Sequence, residues 1–181
     1  SSANTTVVTD RSEVEVAKPA APQARQYEVI LTQVDFQRWL TKLSQASLFA
    51  FDTETTSLDY MQAQIVGVSF AIDAGSAAYV PVAHDYMEAP PQLDRDWVLF
   101  QLKPLLEDEA RAKVGQKLKY DASVLANYGI SLNGIAFDTM LASYLLNPSS
   151  RGHNLDVLAL EHLSHTTIKY KDVVGTASKE I

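Results

Sequence analysis

Cysteine is absent from the 181 residues. That excludes a disulfide scaffold, a thiolate nucleophile and any cysteine-built zinc or iron–sulfur site, and it fits a reducing compartment. Long apolar runs are absent too. No uninterrupted stretch approaches the roughly 18 to 20 residues needed to cross a bilayer, so no membrane partner is expected. The chain opens on polar Ser1-Ser2-Ala3-Asn4-Thr5-Thr6 rather than a charged start and an apolar signal core, and a cytoplasmic location is the expectation. An excess of positive charge is missing as well. Fifteen Lys and Arg face twenty-two Asp and Glu, for a net charge of −7, which argues against gripping nucleic acid by bulk attraction to phosphates. Any polyanion must be held locally. What remains, 46% hydrophobic, 20% charged and 9% aromatic residues, is the composition of one ordinary soluble domain.

Residues 1–26 are rich in Ser, Thr, Ala and Pro and show no period that could bury a face, so they read as a flexible linker. With no initiator Met, the expectation is a chain cut from something longer, with a further domain upstream. A compact pattern begins at Tyr27 and runs on, as 27–181, to the end. The spacing of Val34, Phe36, Trp39, Leu40 and Leu43 predicts an amphipathic helix, and Leu48–Phe51 a strand buried on both faces. Ile65–Ile72 and Ala77–Val82, joined by Asp73-Ala74-Gly75-Ser76, read as a hairpin. Helices are expected over 95–107 and 117–128, the second closed by Gly129, with short strands at Ala112–Gly115 and Ile135–Phe137. Asp138 has the place of an N-cap for Thr139–Leu146, and Leu155–Leu163 repeats the helical spacing. The order predicts an α/β domain with a mixed sheet.

The chemistry-bearing segment is Leu48-Phe49-Ala50-Phe51-Asp52-Thr53-Glu54-Thr55, where an apolar strand runs into two acids. Strand alternation puts Asp52 and Glu54 on one face, with backbones about 6 to 7 Å apart. At an effective dielectric near 20, two such charges repel by about 2.5 kcal/mol. A divalent cation would turn that repulsion into binding, and oxygen-only ligands suit Mg²⁺ or Mn²⁺. The plainer alternative is a solvated strand end. Asp121 falls inside the apolar stripe of its helix, between Leu118 and Leu125. A carboxylate there is costly unless paired or bound to metal, unless it caps a helix starting at Ala122. Arg111, Lys113, Lys117 and Lys119 fall within nine acid-free positions and could line a phosphate path or a solvated edge. His162 and His165 lack an evident third ligand, and His84 stands isolated. No Ser/His/Asp order, P-loop or Gly-rich dinucleotide turn is present. Metal-assisted hydrolysis is the chemistry the acids support.

Phe49–Thr55 and Leu118-Lys119-Tyr120-Asp121 closely resemble the proofreading 3'-5' exonuclease domain of bacterial DNA polymerase I, of the Klenow-fragment type. The likeness extends through Pro81–Tyr86, Leu105–Glu109, Leu125–Ile130 and Gly134–Leu141. The resemblance implies a ribonuclease H-like mixed sheet flanked by helices, truncated before the final helices. It also implies a four-acid mechanism with two divalent ions, Mg²⁺ or Mn²⁺, with Zn²⁺ as a further candidate. By that likeness Asp52 bridges both ions, Glu54 binds the first and orients the attacking water, and Asp121 holds the second through water. Leu58 matches the apolar wedge against the terminal base, and Gln116 matches a substrate contact. The implied partners are a single-stranded DNA 3' end and a polymerase domain of the same parent chain, in a monomer.

Two departures from the family pattern stand out. Lys117 follows Gln116 where the family carries Asn. The third motif, Tyr-x-x-x-Asp, has no match, since none of Tyr120, Tyr128, Tyr144 or Tyr170 has an acid four residues later. The fragment is therefore expected to be impaired on its own. The alternative function is a catalytically inactive scaffold supporting a polymerase. A ribonuclease of the RNase D type shares the acids but not the flanking segments.

Overall fold

The computed structural model describes residues 26–168. Its centre is the strand Leu48–Thr55 (β2), where Phe49, Phe51 and Thr53 are buried and alternate with half-buried Ala50 and Asp52 and exposed Glu54. The strand is thus buried on one face, not both, and it continues through the two acids rather than stopping before them. Ile65–Asp73 (β3) pairs antiparallel with β2, setting Phe70 opposite Phe51 and Val68 opposite Thr53. Ser76–Pro81 (β4) closes the expected hairpin on β3, with Gly75 at φ 84 in the turn, a conformation that costs glycine little.

On the far side of β2, Ala112–Gly115 (β5) and Ile135–Asp138 (β6) add in parallel. A strand with no counterpart in the sequence reading, Gln26–Val29 (β1), pairs in parallel with β4 at the other edge. The sheet order is β1-β4-β3-β2-β5-β6. β1 takes Gln26 out of the expected linker, and residues 1–25 and 169–181 lie outside the described residues.

The helices follow the expected spacing closely. Gln33–Gln45 (α1) buries Phe36, Trp39 and Leu43, and Arg95–Glu107 (α2) buries Val98, Leu99, Leu102 and Leu106. Their first turns are capped by Thr32 and Asp94. Leu118–Ala126 (α3) adds Leu118, Val124 and Leu125 to the same core as Phe51, Val68, Phe70 and Val80. Ile130 N donates to Leu125 O and Gly129 N to Ala126 O around Gly129 at φ 68. This is the left-handed stop expected at that glycine. Thr139–Leu146 (α4) and Leu155–Leu163 (α5) complete the order, capped by Asp138 and Asn154.

With α1 to α3 packed in the core, the other face of β2, β3 and β4 is left partly open. Register aligns Asp52, Ser69 and Tyr79 on that face, and beside them Glu54, Gly67 and Pro81.

Candidate active site

Asp52 and Glu54 project from the partly open face of β2, and Asp121 reaches the same end of the strand from the first turn of α3. Asp121 is not a cap. The helix already begins at Leu118, and the carboxylate is buried at 2% exposure, where Oδ1 accepts from Thr53 N at 3.0 Å and from Thr53 Oγ1 at 2.6 Å. Burial raises its pKa above the ordinary value, against the pull of the Thr53 hydrogen bonds. Asp52 is pushed up to about 7, first by burial, then by the charges of Asp121 and Glu54. Asp52 therefore sits close enough to Asp121 and Glu54 to be repelled by each, and among the described residues no Lys or Arg forms an ion pair with any of the three.

These acids open onto a cleft of about 1030 Å³ between the end of β2 and the helices α3, α4 and α5. Tyr120 braces one wall, its hydroxyl 2.6 Å from Thr55 Oγ1 and donating to Ser57 O. Leu58 stands 90% exposed at the rim. Gln116 lines the cleft, but both ends of its amide are engaged: Nε2 donates to His153 O at 2.8 Å, and Oε1 accepts from Thr139 Oγ1. On the opposite wall Tyr144 stacks on His153 with ring centroids 3.7 Å apart, and Ser143 Oγ lies 2.7 Å from His153 Nδ1. Tyr144 and His153 were not singled out by the sequence as ligand-facing residues. Their pairing across nine positions is a product of the turn between α4 and α5.

The four basic residues divide. Arg111 NH1 donates to Ser44 O at 2.5 Å, and its Nε pairs with Asp108 at 3.1 Å. Lys113 is fully buried and donates to Asp108 O at 2.7 Å. Neither is free to meet a phosphate, because each satisfies backbone carbonyls at the far end of β5. Lys117 does line the cleft, its Nζ 5.3 Å from the Tyr120 ring centroid, and Lys119 is exposed.

His84 is not isolated either. Its Nε2 lies 2.5 Å from the Tyr79 hydroxyl, and Gln92 makes paired hydrogen bonds to its backbone. Tyr79 leans over Gly67, the residue opposite Glu54, and its pKa is pushed up to about 12 by burial, then by Glu54, Tyr86 and Asp52.

Oxygen-only carboxylates with no cationic partner match the donors that Mg²⁺ and Mn²⁺ accept. In donor type Asp52, Glu54 and Asp121 fit a hard divalent ion. Among the described residues no three His, Asp or Glu side chains converge tightly enough to cage one unaided. Water or substrate oxygen would have to complete the coordination.

A sheet of this order with carboxylates at the end of its central strand is the plan of the ribonuclease H-like exonucleases, and comparison with known proteins agrees. A family model described as 3'-5' exonuclease matches residues 27–181. The chain belongs to that family, as the exonuclease domain of a DNA polymerase I. It is 56% identical over 157 residues to DNA polymerase I of Pseudomonas aeruginosa and 41% identical over 172 residues to that of Rhizobium leguminosarum. Each match covers 86% of this chain but 17% of the relative.

Among solved structures, RNase D of Trypanosoma brucei superposes with a TM-score of 0.65 at 19% identity, covering 83% of this chain and 52% of that one. The Pol1 structure from M. smegmatis, in complex with DNA primer-template and dNTP, gives 0.59 at 24% identity, covering 76% and 23%. These likenesses establish the fold. Among the described residues no helix is long and apolar enough to cross a membrane.

Proposed function

We propose that this chain removes nucleotides from single-stranded or frayed DNA 3' ends, as the proofreading part of a longer DNA polymerase I in the cytoplasm. The observation that carries the reading is the set of Asp52, Glu54 and Asp121, with no ion pair to any of them among the described residues, at the mouth of a cleft with apolar and aromatic walls. Asp52, Glu54 and Asp121 are the catalytic acids and would hold two Mg²⁺ or Mn²⁺ ions, with Zn²⁺ as an alternative. Such ions supply positive charge that stabilises an attacking hydroxide and the leaving 3' oxygen of an in-line displacement.

The chain's own residues supply the positioning. Thr53 fixes the Asp121 carboxylate with two hydrogen bonds, so the buried acid presents one orientation to the cleft. Asp52, whose pKa is pushed up to about 7 first by burial and then by its acidic neighbours, would release its proton on holding a cation. Leu58 is the group that wedges against the terminal base, and Tyr144, backed by His153, offers a ring on which a second base can stack. Gln116 contributes by tying His153 to the end of β5, and meets substrate only by exchanging one of its internal partners. The acting unit is a monomer joined to its polymerase.

Titration of Mn²⁺ into the chain and into Asp52→Ala tests the site. Binding weakened about tenfold or more by the substitution supports it. Equal affinity in the two proteins removes the ion from β2.

A further inference from the structure

Asp138 sits at the junction of β6 and α4, where the sequence accounts for it as an N-cap. The cap is present: Oδ1 accepts from Met140 N at 2.9 Å and Leu141 N at 3.2 Å. The same carboxylate also reaches a second helix. Lys117 N donates to Oδ1 at 3.2 Å, and Leu118 N donates to Oδ2 at 2.7 Å. These are the amides that open α3, whose N-cap position, Lys117, supplies no side-chain cap and adopts a left-handed conformation at φ 64. A non-glycine residue keeps that conformation only where its surroundings enforce it. Asp138 is buried, at 9% exposure, and four backbone N–H groups converge on it.

The two helices it joins form facing walls of the cleft. α3 brings Lys117, Tyr120 and Asp121, and α4 brings Met140 and Tyr144. The first turn of α3 has no slack, since Tyr120 is engaged with Thr55 and Ser57, and Asp121 with Thr53. We infer that Asp138 is a positioning residue that clamps the N-terminus of α3 to that of α4 and so sets where Asp121 stands beside Asp52. The inference rests on the reading of Asp121 as an ion-holding acid.

Asp138→Asn separates the two halves of the clamp. The amide keeps one acceptor, which three N–H groups share at Oδ1, and turns an NH₂ toward Leu118 N, which then has no acceptor. The cap of α4 and the longer contact from Lys117 N persist, while the shorter contact to α3, from Leu118 N, is lost. In the full 181-residue chain, Asp138→Asn is expected to weaken Mn²⁺ binding about tenfold, the usual scale for a residue behind a ligand. Amide exchange is expected to accelerate at Leu118 and to stay unchanged at Met140 and Leu141.

Thr32→Ala, which removes the α1 cap on a different part of the molecule, controls for a general loss of stability. It should lower the melting temperature without changing Mn²⁺ affinity. Asp52→Ala serves as the reference for the site itself. Asp138→Asn matching the wild type in affinity while Asp52→Ala is weakened overturns the clamp alone. Affinity unchanged in Asp52→Ala as well overturns the site reading, and the clamp falls with it.

Discussion

Asp52 illustrates how one side chain carries the electrostatic cost of a site. Its folded pKa of about 7 lies well above the ordinary 3.8, so the folded chain holds a proton there that the unfolded chain has released. Between about pH 4 and pH 7 the native state binds more protons than the unfolded one, and stability falls as pH rises through that window. The raised pKa of Asp121 acts in the same direction. Without added metal, the melting temperature should therefore be higher at pH 5 than at pH 8. Asp52→Asn should flatten the slope and raise stability at pH 8. A melting temperature that instead climbs between pH 5 and pH 8 in both proteins would show that burial and the neighbouring acids do not raise the Asp52 pKa. The presence of Asp52 and Glu54 on one face was legible from alternation alone, and the burial of Asp121 from its place in an apolar stripe. Their partners were not. Thr53 meets Asp121 across 68 positions, and Tyr120 meets Thr55 across 65, contacts that only the closed fold creates. Lys113 misled for the same reason, because its charge suggested solvent while its stem runs through the core to a backbone carbonyl.

At the scale of elements, the helices were readable from their spacing, with one cap, Asp138, and one stop, Gly129, legible beside it; the other caps emerge only in the structure. Thr32, Asp94, Asp138 and Asn154 each accept from the first turn they precede, and the hairpin turn carries its glycine where the chain reverses. β1 escaped notice because it is four residues long, mostly exposed and paired with β4 fifty positions away. No short-range signal marks such an edge strand. The β3–β4 pair also contains a packing dependence that the sequence does not announce. A Cβ at Gly67 would lie 1.9 Å from the Tyr79 hydroxyl oxygen, so Tyr79 occupies the space a side chain would need. Gly67→Ala should destabilise the chain by about 1 to 3 kcal/mol through overpacking. The penalty should shrink when Tyr79→Ala is already present, and a double-mutant cycle by urea unfolding measures that coupling. Additive effects would mean that Tyr79 does not fill the space over Gly67.

Over the whole molecule, a net charge of −7 offers DNA no general field to hold it, so under the proposed function recognition falls to one cleft. Its wall has Lys117, an exposed Leu58 and the Tyr144–His153 stack, while Arg111 and Lys113 are spent on the scaffold. A retained set of three acids at that cleft favours an enzyme over an inert support. The measurement that bears most directly on this places residues 27–181 in the corresponding segment of the Pseudomonas aeruginosa polymerase and follows a 5'-labelled single strand with Mg²⁺. The graft should shorten the strand stepwise from its 3' end, and Asp52→Ala should slow this by about a hundredfold or more, since loss of positioning alone costs that much. Equal digestion with and without Asp52, or no digestion by a graft that still extends primers, would contradict the assignment.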